Sequence, residues 1–121
     1  MRDDRDNLIV DLTFEFALMI VEFAEILESH KKYVVARQIL KSGTSIGANV
    51  REAQNAESLL DFIHKMKVSA KEADETDYWL QVCKHSNNYP YQENITEKLE
   101  DIKRVISKII SSAKKRLKTK Q

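Results

Sequence analysis

The sequence predicts an all-α protein, an antiparallel up-down four-helix bundle. Three observations carry this. Apolar residues recur every three or four positions over most of the 121-residue chain, which is the spacing of a helix face. No sustained alternation of apolar and polar residues marks a strand. There are two Gly and one Pro, too few for the turns of an all-β fold. The length suits one domain, so residues 1–121 read as a single bundle with a short charged N-terminal segment and a basic C-terminal tail.

The first helix is predicted over Leu12–Glu28. Its polar stripe is Glu15, Glu22, Glu25 and Glu28, and almost everything else is apolar. One core-facing stripe needs about a third of a helix circumference. This helix is apolar over more than that. It is therefore either an unusually well covered member of a small bundle or a helix whose outer face meets another subunit.

The second helix is predicted over Tyr33–Ala56, after a weak break at His30-Lys31-Lys32. Val35, Ile39, Ser42, Ile46, Asn49 and Ala53 form its inner row. Gln38, Ser45 and Glu52 make a polar flank. Gly43 and Gly47 fall in mid-helix, where each glycine costs roughly 1 kcal/mol against Ala. Close approach of another helix is the usual reason.

The third helix is predicted over Leu59–His85, with a row of Leu59, Phe62, Met66, Ser69, Ala73, Thr76, Leu80 and Cys83. An antiparallel turn near Glu57 sets Ser42, Ser45 and Ile46 opposite Ala73, Ala70 and Ser69. Small side chains then meet at mid-length. A tight crossing of helices two and three is expected at Ser42, Ser45, Gly47, Ser69, Ala70 and Ala73. Asn49, on the inner row, is expected to be buried and hydrogen-bonded to a polar group such as Glu72. The same arithmetic around Lys31 sets Phe16 and Ile20 opposite Ile46 and Ser42.

The fourth helix is predicted after the loop Ser86-Asn87-Asn88-Tyr89-Pro90. Asn94-Ile95-Thr96-Glu97 reads as a capping box. Ile95, Leu99, Ile102, Ile106, Ile109 and Ala113 supply its inner row.

Composition excludes several function classes. One Cys cannot form an internal disulfide. The longest apolar run, Phe16 to Val21, is six residues, against about 20 for a membrane span, so no membrane partner is expected. The charged start Met1-Arg2-Asp3-Asp4 reads as no signal peptide, and a cytoplasmic location is expected. A di-iron carboxylate site needs two Glu-x-x-His pairs. Leu27, Asp61 and Val82 precede His30, His64 and His85 by three, so only Asp61…His64 comes near. Cys83 lies in the core row and has no zinc partners nearby. Gly43-Thr44-Ser45-Ile46-Gly47 lacks the Lys-Ser/Thr ending of a phosphate loop. No metal, no cofactor and no catalytic residue is expected, and the chain does not read as an enzyme.

Three stretches resemble a known family: Ser42-Gly43-Thr44-Ser45-Ile46-Gly47-Ala48-Asn49-Val50-Arg51-Glu52-Ala53, Asp61-Phe62-Ile63-His64-Lys65-Met66, and Lys71-Glu72-Ala73-Asp74-Glu75-Thr76-Asp77-Tyr78-Trp79-Leu80. Together they resemble the four-helix bundle proteins encoded in intervening sequences of bacterial large-subunit ribosomal RNA genes. That family looks related to the accessory variability proteins of diversity-generating retroelements. The resemblance covers roughly residues 8–112. Asp74 stands where the family usually has Asn, and Asp77 where it usually has Glu. The resemblance implies a homo-oligomeric ring, a pentamer, and it implies nucleic-acid binding in the retroelement relatives. It also makes Ser42, Gly43, Ser45, Ile46, Gly47, Asn49, Glu52 and Ala73 structural rather than ligand-binding positions, as the pairing of helices two and three does Ser69 and Ala70.

Net charge is +1 but unevenly spread: residues 1–30 sum to −6, 31–57 to +3, 58–90 to −1 and 91–121 to +5. Such segregation suggests self-association or a locally basic face. Two functional classes follow. One is binding of RNA or another nucleic acid through Lys31, Lys32, Arg37, Lys41 and Arg51 together with Lys114, Lys115, Arg116, Lys118 and Lys120. The other is a structural or adaptor oligomer that binds another protein, for which the acidic first helix and Tyr78-Trp79 speak.

Overall fold

The computed structural model describes residues 7–120; the charged segment 1–6 lies outside them. Four helices follow in order: α1 (Asn7–Ser29), α2 (Tyr33–Ala53), α3 (Leu59–His85) and α4 (Glu93–Lys120). α1 starts five residues before the predicted Leu12, because Ile9 and Val10 already belong to the core. α3 has the predicted bounds.

The connections are built from backbone chemistry. After α1, Lys31 adopts a left-handed φ of 63°. The Lys32 amide donates to the Leu27 carbonyl (2.9 Å) and the Lys31 amide to that of Glu28 (2.8 Å). This double bond closes the last turn and reverses the chain within three residues. α2 stops at Ala53, short of the expected Ala56. α3 is capped by Ser58, whose hydroxyl accepts from the Asp61 amide (3.0 Å) while the Asp61 carboxylate accepts from the Glu57 amide (3.1 Å). Such reciprocal pairing satisfies two otherwise orphaned donors.

The expected capping box at Asn94 is not formed. α4 begins one residue earlier, at Glu93. Its start is held by the Tyr91 hydroxyl, 2.8 Å from both the Glu93 carboxylate and the Thr96 hydroxyl. These bonds tie side chains of the first turn together and cap no backbone amide.

Cross-helix contacts fix the topology. The Ser69 hydroxyl donates to the Ile46 carbonyl (2.8 Å) and that of Thr76 to Ser42 (3.0 Å), so α2 and α3 are antiparallel. Lys84 faces Glu93 and Lys103 faces Asp77, so α3 and α4 are antiparallel too. α1 packs on both α2 and α4, and the Lys98 ammonium meets Glu15 at 2.8 Å. The four helices enclose one core, in which Phe16, Ile20, Phe23, Ile46, Met66 and Leu80 are fully buried.

Two expectations about the tight crossing change. Both glycines face α1, not α3. A Cβ on Gly43 would lie 2.8 Å from two Ile20 carbons, and one on Gly47 3.2 Å from the carbonyl and hydroxyl oxygens of Thr13. The bulk of α1 occupies the space a larger residue would need. Ser42, Ser69 and Ala73 are wholly buried in the bundle, the two serines bonding across α2 and α3. Ala70 instead lines a groove against Lys103, Ile106 and Ile110 of α4. Ser45 and Asn49 are half-buried and bond within α2: the Ser45 hydroxyl to the Lys41 carbonyl (2.6 Å), the Asn49 amide to the Ser45 carbonyl (2.8 Å). Glu72 is not Asn49's partner, because an acceptor four residues back on its own helix lies closer to hand. Glu52 is exposed.

Candidate nucleic-acid interface

The basic residues singled out from the sequence do not form one patch. Lys31 and Lys32 sit at the α1–α2 turn, where the Lys32 ammonium lies 4.6 Å from the centroid of Tyr89 in the α3–α4 connection. Arg37 and Lys41 are exposed on α2. Arg51 closes α2 at the other end, its guanidinium 5.9 Å from the Phe14 ring. Lys114, Lys115, Arg116 and Lys118 are exposed near the end of α4. The side chain of Lys120 lies outside the described part. An antiparallel bundle separates the start of α2 from the end of α4 by the length of α2, about 30 Å at 1.5 Å per residue.

The α4 end carries the stronger field. The α2–α3 connection, the first turn of α3 and the last third of α4 enclose an open groove of about 450 Å³. Gln54, Ser58 and Phe62 line one side, and Lys108, Ser112 and Arg116 the other. These last three are four residues apart, so they stand in one row along α4. Lys108 was not singled out from the sequence, although its spacing to Arg116 was the available signal. Among the described residues, none of Lys108, Lys114, Lys115, Arg116 and Lys118 makes an ion pair. At the start of α3 the Asp61 amide is taken by the Ser58 hydroxyl, and the Asp61 carboxylate beside it accepts from the Glu57 amide. An anion here meets side-chain cations.

Asp74 and Asp77 of α3 are engaged elsewhere. Lys103 reaches from α4 to Asp74 at 3.2 Å and Asp77 at 3.4 Å. Desolvation pulls its pKa down, but the two carboxylates outweigh that and hold it above the ordinary lysine value. Asp74 and Asp77 thus share one ammonium. Tyr78 is 63% exposed and stands edge-on to Trp79, with ring centroids 5.3 Å apart. The indole N–H of Trp79 is enclosed without an acceptor.

Reactive chemistry is suppressed where it could be looked for. Cys83 is buried, and burial pushes its thiol up to about 11. Since the thiolate is the nucleophile, Cys83 is expected to react with a disulfide reagent at pH 8 far more slowly than a free thiol. Denaturant should restore the full rate. Native labelling as fast as glutathione's would contradict the buried assignment. No group of three or more His, Cys, Asp or Glu among the described residues is arranged to hold a metal ion. No described helix is long and apolar enough to cross a membrane.

Comparison with known proteins adds two findings. A family model described as "23S rRNA-intervening sequence protein" matches residues 5–112. A crystal structure from Bacteroides thetaiotaomicron, described as a protein of unknown function from the S23 ribosomal protein family, is 40% identical. The match covers 88% of this chain and 97% of that one, with a TM-score of 0.83. No curated protein matches the chain.

Proposed function

Because the chain belongs to the 23S rRNA-intervening sequence protein family, we propose that it is a non-enzymatic, homo-oligomeric bundle that binds RNA through the basic end of α4. One observation carries the reading: Lys108, Lys114, Lys115, Arg116 and Lys118 crowd the end of one helix with no acidic partner among the described residues. Cations left unneutralised at close spacing are suited to a phosphate backbone. The groove beside them brings Phe62 next to Lys108 and Arg116, an apolar ring and two cations of the kind that hold an unstacked nucleotide. No base-reading element stands out, so preference among sequences is expected to be weak.

Assembly matters to this reading because net charge per chain is only +1. A ring of copies, five being the number the family resemblance implies, would repeat the basic end and turn weak contacts into avid ones. Lys31, Lys32, Arg37 and Lys41 lie too far from the α4 end to share its contacts within one copy, and they serve as the internal comparison.

Binding of a labelled mixed-sequence single-stranded RNA tests the proposal. Changing Lys115, Arg116 and Lys118 together to Glu should abolish retention at low salt. Lys31→Glu with Lys32→Glu should leave it nearly unchanged. In the unaltered protein, log affinity should fall with log salt by roughly 0.7 per phosphate contact. Equal retention by the triple variant would leave the tail as a solubilising helix end. The second reading, a protein partner, is favoured by the exposed Tyr78 beside Trp79. It would take precedence in that case.

A further inference from the structure

The outer face shared by α1 and α2 carries two matching stripes. On α1, Asp11, Phe14, Leu18, Val21 and Glu25 follow at helical three- and four-residue steps. The apolar members are not covered by the bundle: Phe14, Leu18 and Val21 are 52, 53 and 41% exposed. On α2, Arg37, Leu40, Thr44, Ala48 and Arg51 form the neighbouring stripe. Leu40 is 38% exposed. A groove of about 260 Å³ floored by Ala17, Gly47 and Ala48 runs between the two.

The stripes match in length and oppose in charge. Asp11 and Glu25 are fourteen residues apart, and so are Arg37 and Arg51. Each pair therefore brackets its apolar centre at about 21 Å, counted at 1.5 Å per residue. All four charged residues are exposed, and none is in an ion pair among the described residues. An apolar centre with a charged rim is the anatomy of a protein interface. A surface whose acidic half fits its own basic half needs no second kind of molecule to complete it.

We propose that this face joins copies of the chain, the α1 stripe of one docking on the α2 stripe of the next. Phe14, Leu18 and Val21 then cover Leu40, Thr44 and Ala48 of the neighbour, and the acidic ends of one stripe meet the arginines of the other. The small residues of α2 let the neighbouring helix come close. Each stripe spans about 21 Å between its charged ends, and a copy within an assembly gives one stripe to each of two neighbours. The proposal rests on the oligomeric part of the function proposed above and not on RNA binding.

Sedimentation of nuclease-treated protein across the micromolar range tests it. The unaltered chain should run well above monomer mass. Asp11→Lys with Glu25→Lys, or Arg37→Glu with Arg51→Glu, should each weaken assembly by about a hundredfold or more, since like charges would face each other at both ends. All four changes in one chain should restore assembly, because the charges again oppose. Mixing the two double variants should restore association between unlike copies, but not a closed ring of five, which cannot alternate two kinds of copy. Leu18→Glu, at an exposed position that leaves the fold intact, should dissociate the copies by itself. A monomer throughout the range overturns the proposal and leaves the face to a different protein. So does assembly indifferent to the reversals, or failure of the fourfold variant to reassemble while its helicity and melting are unchanged. Assembly together with undiminished RNA retention in the α4 triple variant would sink only the RNA reading. RNA retention by a monomer would sink only this one.

Discussion

Phe16→Ala is expected to lower stability by about 3–5 kcal/mol, the range for removing a wholly buried aromatic ring. Phe16 is fully enclosed in the core, where α1 packs on α2 and α4. Its loss leaves a cavity that rigid helices cannot close. Phe14, two residues earlier, is the control. Its ring is half exposed, so Phe14→Ala in the separated chain should cost under about 1 kcal/mol. Urea unfolding of both variants measures the contrast. Similar losses for the two would mean that α1 is rotated from the orientation described.

The second large effect separates two adjacent residues of α3. Ser69→Leu is expected to cost roughly 2–4 kcal/mol. Overpacking a filled site costs about 1–3 kcal/mol, and the lost bond to the Ile46 carbonyl adds about 1 kcal/mol. Ala70→Leu should be neutral or stabilising by up to about 1 kcal/mol. Ala70 borders an open groove of about 280 Å³ between α3 and α4, and the larger side chain would fill it. Thermal melts of the pair decide the matter. Equal destabilisation would place both residues in the crossing of α2 and α3.

That pair also shows where sequence reasoning stopped. The rows of apolar residues located all four helices, and in α3 the bounds were legible to the residue because Ser58 and Ser86 interrupt the row at both ends. Spacing says which residues share a face; it does not say which neighbour the face meets. Gly43 and Gly47 were rightly read as sites of close approach, yet the approaching helix is α1, and only the position of Ile20 and Thr13 reveals it. Asn94 matched a capping pattern, but α4 begins at Glu93 and places Asn94 inside its first turn. The candidate interface was legible as a set of basic residues and not as a place. Antiparallel topology already implies that the start of α2 and the end of α4 lie at opposite ends. Lys108 entered only when the groove brought it beside Arg116.

The order of the helices along the chain is also their order around the bundle. α1 meets α2, α2 meets α3 and α3 meets α4, and only the contact of α1 with α4 joins distant parts of the sequence. A chain leaving the ribosome N-terminus first, at about 5–20 residues per second, can therefore settle each helix on the one made just before it. The seam of Ser42, Ile46, Ser69 and Thr76 can be complete once α3 has emerged, before α4 has left the ribosome. Until then, one flank of a three-helix sheaf stands open. α4 closes it on emerging, and its C-terminal turns, which arrive after the rest of the helix, carry the lysines and arginine.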